Sequence, residues 1–352
     1  MEDKRIPVER LEKFIKSAMR AQGVPDDHDE IFTRRMIEAD LRGMHGHGLM
    51  RLTPYSRRLR EGGYNLKPDI RATRETPVSA LVEGDNGLGQ VVMTFAAELA
   101  IKKAKESGLA WVGVRGGNHA GAGGVYAALA LPHDLVGIYM AVANANHMPP
   151  WGGVDMLLST NPIAFAIPAG EESGFVLDMA TTVASYGKVK VYAQAGREMP
   201  VGWMVNRKGE PLTDSTRSDE GFLLPIGGHK GYGLNMVIGM LGGVMNSAAF
   251  GGDVVDFNKE FSTPLNTGQA FFAMRPDLFR DLGEFKAGMD RSIREIKHST
   301  PMEGKGPIRI PGEQAVAREQ EMRVRGIPVT PPVLKAVREL AETLGIEERL
   351  ED

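Results

Sequence analysis

The apolar positions change period along the chain, and the change divides it. From residue 7 to 75 they follow helical spacing, with Leu11, Phe14, Ile15, Ala18 and Met19 on one face after Pro7. The Gly23-Val24-Pro25 break, followed by Asp26 and Asp27, predicts a stop and a fresh cap. Ile31, Phe32, Met36 and Ile37 then predict a second helix running up to Arg42-Gly43. A third is expected from about Leu49 to Glu61, ended by Gly62-Gly63.

Near residue 76 short apolar runs replace the helical stripe. Pro77 to Val82 predicts a strand, Gly84-Asp85-Asn86-Gly87 a turn and Val91 to Ser107 a helix. Leu109 to Val114 suits a buried strand, Gly123 to Leu131 a helix and Val136 to Val142 another strand. This alternation predicts an α/β layer. Between about 144 and 230 the segments shorten and turns multiply, which predicts a smaller lobe holding candidate strands Ile163 to Ile167 and Phe175 to Met179. Gly231 to Met245, Pro276 to Lys297, Glu313 to Arg325 and Pro332 to Leu344 read as helices, and Gln269 to Met274 as a strand.

Composition narrows the function. A chain of 352 residues is too long for one simple core. A net charge of −3 gives no reason to expect nucleic acid or an anionic membrane as partner. No apolar run approaches the ~20 residues a membrane span needs. The absence of cysteine excludes disulfides, thiolate metal sites and cysteine nucleophiles, and fits a reducing cytoplasm.

Candidate chemistry gathers where glycine does. Asp40 to Leu52 holds His45, His47, three glycines, Arg42 and Arg51, with Tyr55 just beyond. Glycines leave an imidazole uncrowded, and Arg51 and Tyr55, four apart, share a helix face. His47 beside Arg51 offers a titratable ring and an anion clamp, whereas the plain alternative is a glycine-rich connection. His45-Gly46-His47 is also an H-x-H pair that His119 or Asp178 could extend to a zinc site, although its glycines oppose the strand such alternation suits.

Gly116 to Gly124 lies between a predicted strand and helix, where backbone N–H groups and small residues suit phosphate. Its spacing is not G-x-G-x-x-G, and no acidic residue follows about twenty positions on, so a dinucleotide would bind outside the Rossmann pattern. Gly227-Gly228-His229-Lys230-Gly231 opens an apolar helix without P-loop spacing, and Lys230 either neutralises an anion or points to water. Asp178, inside an apolar run, needs a partner: orienting a histidine and capping the next helix are the two jobs open to it.

In combination these segments resemble the type-2 malate/L-lactate dehydrogenase family, which includes sulfolactate, ureidoglycolate and diketogulonate oxidoreductases and a cyclic-imine reductase. The matching blocks are Arg42-Gly43 through His47-Gly48 with Arg51-Leu52 and Tyr55; Gly117-Asn118-His119; Pro150-Trp151-Gly152-Gly153 with Thr160-Asn161-Pro162; Asp178-Met179-Ala180-Thr181; Lys230-Gly231-Tyr232-Gly233; and Pro311-Gly312-Glu313. The resemblance spans essentially the whole chain. It implies NAD- or NADP-dependent interconversion of a small 2-hydroxy acid and 2-oxo acid, and a homodimer. It also implies a non-Rossmann α/β fold whose mixed sheet binds the cofactor. The expected division is a helical domain of residues 1–75 plus 300–352, a cofactor-binding domain of 76–143 plus 230–299, and a lobe of 144–229.

By position the resemblance makes His119, His47 and Asp178 catalytic, with Asp178 the carboxylate partner of His47. It gives Arg51, Tyr55 and Lys230 to the substrate. It sets His119, Ala120, Gly121, Ala122, Gly123, Asn144, Asp178, Met179, Ala180, Lys230 and Glu313 against the dinucleotide. No metal is expected. Three positions depart from the pattern: Gly46 stands where relatives usually carry serine, Ala120 where many carry an aromatic, and Asn144 in place of a common serine. Without that serine a Ser-His-Asp relay cannot be copied across, so proton transfer is assigned to His119, with His47 in support. Alternatives are reduction of a cyclic imine such as a piperideine or pyrroline carboxylate, a zinc hydrolase using His45, His47 and Asp178, and a non-catalytic dinucleotide-binding protein.

Overall fold

Three layers of contact explain the architecture, which a computed structural model describes for residues 3–350. The N-terminal helices Val8–Arg20, Asp26–Leu41 and Leu52–Arg60 turn their apolar stripes inward. Leu11, Phe14, Ile15, Ala18 and Met19 are all buried, as their spacing predicts. Pro25, rather than Asp26 or Asp27, takes the N-cap position of the second helix. The aspartates fall in its first turn instead, where they face the positive end of the helix dipole.

These helices share one core with the far end of the chain. Met322, Ile327, Val329, Leu334, Val337, Leu340 and Ala341 pack with Leu11, Phe14, Phe32, Leu52 and Tyr55. Lys4–Ile6 pairs antiparallel with Ile327–Val329, which fixes the register of that contact. Neither strand is legible locally, because three residues show no alternation. The helical expectation for 61–75 fails throughout: residues 61–70 form turns and irregular chain, and Arg71–Thr76 forms a strand against Ser79–Glu83.

A seven-stranded sheet forms the middle of the molecule, in the order Arg71–Thr76, Ser79–Glu83, Leu109–Gly117, Thr267–Met274, Val136–Ala141, Ile163–Ile167, Phe175–Met179. The Ser79–Glu83 and Leu109–Gly117 strands run parallel, joined by the crossover helix Gly89–Ser107. The other neighbours are antiparallel. Ile163–Ile167 and Phe175–Met179 match their expected bounds but extend this sheet instead of building the lobe. Their backbone groups find partners along the sheet edge, and Ala164 and Ala166 are fully buried.

Helix Gly89–Ser107 and the short helix Gly123–Ala127 cover one sheet face, while His229–Gly242 lies on the other. The lobe has its own small core of Ala184, Val189, Met199, Trp203, Met204, Leu212 and Leu223. It is built from helix Tyr186–Gln194 and the hairpin Met204–Asn206/Gly221–Leu223. No helix among the described residues is long and apolar enough to cross a membrane.

Candidate active site

The histidine corner is shaped by a buried carboxylate. Asp40, in the last turn of its helix and 3% exposed, accepts the Leu49 N–H at 2.7 Å and holds His45 Nδ1 at 2.9 Å. The chain between them closes into two short 3₁₀ turns, His45–His47 and Leu49–Arg51. Burial pushes the Asp40 carboxyl up from its ordinary range, opposed by His45 and the Leu49 N–H. His45 is thereby committed to Asp40, and among the described residues no three His, Cys, Asp or Glu side chains converge as metal ligands. The zinc grouping of His45, His47 and Asp178 therefore does not form.

The corner does bring His47 and His119 together. Their rings lie 5.7 Å apart between centroids and 21° from parallel. His119 follows the strand Leu109–Gly117, whose end is tied down by the neighbouring Asn118. Asn118 donates to Asn86 Oδ1 at 2.9 Å and to Gly87 O at 2.8 Å. The backbone here packs directly onto Gly89, where any Cβ would fall 2.4 Å from the carbonyl oxygens of Asn118 and His119.

Tyr55 is placed differently from expectation. It is fully buried, and its hydroxyl meets His119 Nδ1 at 2.5 Å, so it orients the histidine instead of lining a substrate surface. Phe257 closes the other side, 5.0 Å from His119 and 5.4 Å from Tyr55 between ring centroids. Burial, then the fields of Arg51 and His47, hold His119 well below the ordinary histidine range. Burial with Arg51 lowers His47 to about 4. Both rings are therefore neutral at physiological pH.

Arg51 is aimed by two bonds. Its Nε donates to Gly46 O at 2.9 Å and its Nη1 to Asn258 Oδ1 at 3.3 Å, while the guanidinium lies 6.0 Å from the Phe257 ring centre. No hydrogen bond engages Nη2 among the described residues, which leaves the outer edge of the fork for a carboxylate. Phe257 and Asn258 escape a sequence reading, because they sit in a loop some two hundred positions away with no local motif. The loop is anchored by Arg58, fully buried, which donates to the carbonyls of Glu260, Gly63 (3.2 Å) and Thr263 (2.8 Å).

Asp178 does not reach His47. Its Oδ2 accepts the Gly124 N–H at 2.7 Å, in the earlier helix Gly123–Ala127 and not in the next one along the chain, which Ser185 caps, and among the described residues the buried Nδ1 of His47 has no hydrogen-bond partner. The start of helix Gly123–Ala127 is thus already served by a carboxylate, whose pKa burial raises against the pull of that N–H and of Arg42. Asn144 is also engaged inside the protein, donating to Thr267 Oγ1 at 2.5 Å and accepting the Phe257 N–H at 2.8 Å. It couples the sheet to the loop over the site.

Met179 ends an edge strand of the sheet and Ala180 follows it, and Pro311 O accepts the Val176 N–H of that strand at 3.1 Å. Gly312 turns there at a φ of +95°, where a Cβ would press on Val176. Glu313 reaches Lys297 at 3.1 Å from the first turn of its helix. Lys230 is exposed in the first turn of His229–Gly242, apart from the contacts that gather the histidines. Ala120, Ala122 and Gly123 are buried, with a Cβ at Gly123 meeting Tyr139 at 2.7 Å, whereas a Cβ at Gly121 would lie 3.8 Å from His47 O and one at Gly46 meets nothing within 4 Å.

The fold is a mixed α/β sheet with His47, His119 and Arg51 gathered at one corner, and its relatives are oxidoreductases. The sequence matches the malate/L-lactate dehydrogenase family over residues 6–338, and the chain belongs to that family. It is similar to a malate dehydrogenase of Pyrococcus abyssi, with 38% identity over 355 residues covering 97% of this chain and 96% of the relative. The L-sulfolactate dehydrogenase of Methanocaldococcus jannaschii is 38% identical over 342 residues, covering 96% of each. The solved structure of the sulfolactate dehydrogenase from that organism superposes with a TM-score of 0.90 at 36% identity, covering 99% of both chains. An Escherichia coli K12 ureidoglycolate dehydrogenase (NAD(+)) is 32% identical over 325 residues, covering 92% of each.

Proposed function

We propose that this chain interconverts a small 2-hydroxy acid and its 2-oxo acid with a nicotinamide cofactor, NAD or NADP. The observation that supports the reading best is the Tyr55–His119 contact at 2.5 Å beside the Arg51 fork. With Nδ1 occupied by Tyr55, Nε2 is the ring nitrogen left for substrate. The Tyr55 hydroxyl can accept from Nδ1–H or donate to a bare Nδ1, so it supports both neutral tautomers. In the first tautomer Nε2 is a base that takes the hydroxyl proton of a 2-hydroxy acid. In the reverse direction the imidazolium left by that step, its Nδ1–H held by the Tyr55 oxygen, returns its Nε2 proton to the oxygen of the 2-oxo acid.

Arg51 holds the carboxylate of either by its outer edge. When bound, the nicotinamide ring supplies the hydride acceptor or donor for the carbon that carries that oxygen. His119, the Ala120–Gly123 stretch and His47 would hold its reactive end, and Met179, Ala180, Glu313, Asn144 and Lys230 are assigned to the rest of the dinucleotide by position. Phe257 and the buried Tyr55 exclude water around the reacting histidine.

The reading includes a homodimer. Helix His229–Gly242 leaves Leu234, Val237 and Met240 exposed at helical spacing, with Val244 and Met245 just beyond. A run of that kind supports a subunit contact. The shared core of the two chain ends supports the helical domain of 1–75 with 300–352.

Initial rates with NADH and NADPH, scanned over 2-oxo acids and cyclic imines, test the assignment. Reduction of 2-oxo acids, with His119→Ala lowering kcat by about 10²- to 10⁴-fold, is the expected result. Turnover restricted to cyclic imines would replace this reading with the imine reductase. Near-normal turnover by both His119→Ala and His47→Ala would end the histidine assignment.

A further inference from the structure

Beside the paired histidines, one fully buried amide is left over. Gln90 stands in the first turn of helix Gly89–Ser107 and is 1% exposed, yet neither its Oε1 nor its Nε2 makes a hydrogen bond among the described residues. Gln269, equally buried, uses both ends: it accepts from the Tyr139 hydroxyl at 2.9 Å and donates to Asn118 O at 3.2 Å. A buried amide with both ends idle is costly unless a neighbour engages it.

Three contacts locate that amide. Gly89, the residue before it, packs so closely on the chain at Asn118 and His119 that a Cβ would fall 2.4 Å from both carbonyl oxygens. Leu88 and Val91 flank it and belong to the apolar core that also holds Tyr55 and Phe257. At the tip, Nε2 lies 3.9 Å from the point where Gly121 would carry a Cβ, and His47 O lies 3.8 Å from the same point. The amide therefore ends among the segments that carry Tyr55, His119 and His47. Burial raises the Tyr55 phenol, and Arg51 and then the Gln90 amide pull against it, so the amide bears on that hydroxyl.

Counting protons gives the amide a role. The Tyr55 hydroxyl has one proton to donate, and it meets His119 Nδ1 at 2.5 Å. Aimed at Nδ1, that proton forces the ring hydrogen onto Nε2, which then cannot take a proton from substrate. A bare Nε2 requires Nδ1–H to donate to the Tyr55 oxygen, and the Tyr55 proton then needs another acceptor. We propose that Gln90 is a positioning residue whose amide oxygen accepts the Tyr55 proton, turning the Tyr55 oxygen toward His119 Nδ1–H and keeping Nε2 free for the substrate hydroxyl. A primary amide suits the task, because a half-turn of its last torsion presents either oxygen or nitrogen to the phenol. The inference rests on the 2-hydroxy acid reading above, in which His119 acts as a base through Nε2.

Nitrogen NMR of the full chain with labelled histidine reads the His119 tautomer at neutral pH without substrate, and His119→Ala supplies the assignment. The parent should show Nδ1 protonated and Nε2 bare. Gln90→Met, of similar volume, should move the proton to Nε2 and lower kcat for malate oxidation about tenfold, with KM changed by less than about threefold. Gln90→Glu keeps an oxygen acceptor and should retain the parent tautomer. In a Tyr55→Phe background, Gln90→Met should leave kcat where Tyr55→Phe alone puts it, because the amide acts through the phenol. An Nε2–H tautomer in the parent, an unchanged tautomer in Gln90→Met, or additive losses in the double variant would overturn the proposal while leaving the 2-hydroxy acid reading intact. Failure of the parent to oxidise malate or any other 2-hydroxy acid would overturn that reading, and the spectra would still decide the hydrogen bond.

Discussion

Asp40 leaves no room for a side chain at Gly48. A Cβ there would fall 2.1 Å from the Asp40 carboxylate, the same carboxylate that accepts the Leu49 N–H and His45 Nδ1. At Gly46, two residues earlier, a Cβ would meet nothing within 4 Å. Gly48→Ala should therefore destabilise the protein by about 1–3 kcal/mol, as overpacking does. Gly46→Ala and Gly46→Ser should be close to neutral. Urea unfolding of the three variants checks the contrast, and equal losses would refute it.

Tyr55→Phe keeps the ring against Phe32 and Phe257 but removes the hydroxyl from His119 Nδ1. The expected outcome is a fall in kcat of about tenfold, the scale of one buried hydrogen bond, with KM little changed. A substrate-binding tyrosine would show the opposite split, raising KM first. Steady-state kinetics on Tyr55→Phe separates the two.

The lowered histidines set the pH dependence. For proton removal from a 2-hydroxy acid the base is neutral His119, which is present above its depressed pKa. The kcat/KM for oxidation should therefore stay level through neutrality and decline only on the acid side, below the ordinary histidine value of 6.5. Stability follows the same sign. His47 titrates at about 4 when folded against 6.5 ordinarily, so the unfolded chain binds the extra proton between those values. The contribution is complete above 6.5 and is lost as pH falls toward 4. Thermal midpoints from pH 7 to 4.5 should fall more steeply for the parent than for His47→Gln.

Arg58→Met removes three bonds to carbonyls from a fully buried guanidinium while filling similar space. A loss of about 2–4 kcal/mol is expected, since each carbonyl loses a charged donor. Hydrogen exchange should quicken across residues 256–263 before it does in the sheet. Uniform quickening over the whole chain would show that Arg58 stabilises the fold without specially holding that loop.

Periodicity made long elements legible. The buried face of Val8–Arg20 and the bounds of Ile163–Ile167, Phe175–Met179 and Glu313–Arg325 can be read from spacing, because one apolar stripe or run decides each. Three-residue strands such as Lys4–Ile6 depend on partners hundreds of positions away and carry no signal of their own. The site divides in the same way. His47, His119 and Arg51 stand out as chemistry among glycines, whereas Asn258 matters only because a loop crosses Arg51. Asp178 shows how a motif can name a residue and still leave its partner open: helix capping and histidine orientation call for the same buried carboxylate, and the Gly124 N–H lies within reach.

The antiparallel pairing of Lys4–Ile6 with Ile327–Val329 carries a consequence for synthesis. The first three helices emerge from the ribosome early, yet the apolar residues that complete their core belong to segments from Met322 onward. Tyr55 and Phe32 must therefore wait, partly solvated, through most of translation, and contacts of such long sequence separation form slowly. Sheet strands up to Phe175–Met179 can assemble meanwhile, so the nascent chain passes through a stage with a folded middle and an unfinished beginning. A ribosome stalled before residue 322 should expose the N-terminal helices to protease, and one stalled after the chain end has cleared the exit tunnel should protect them.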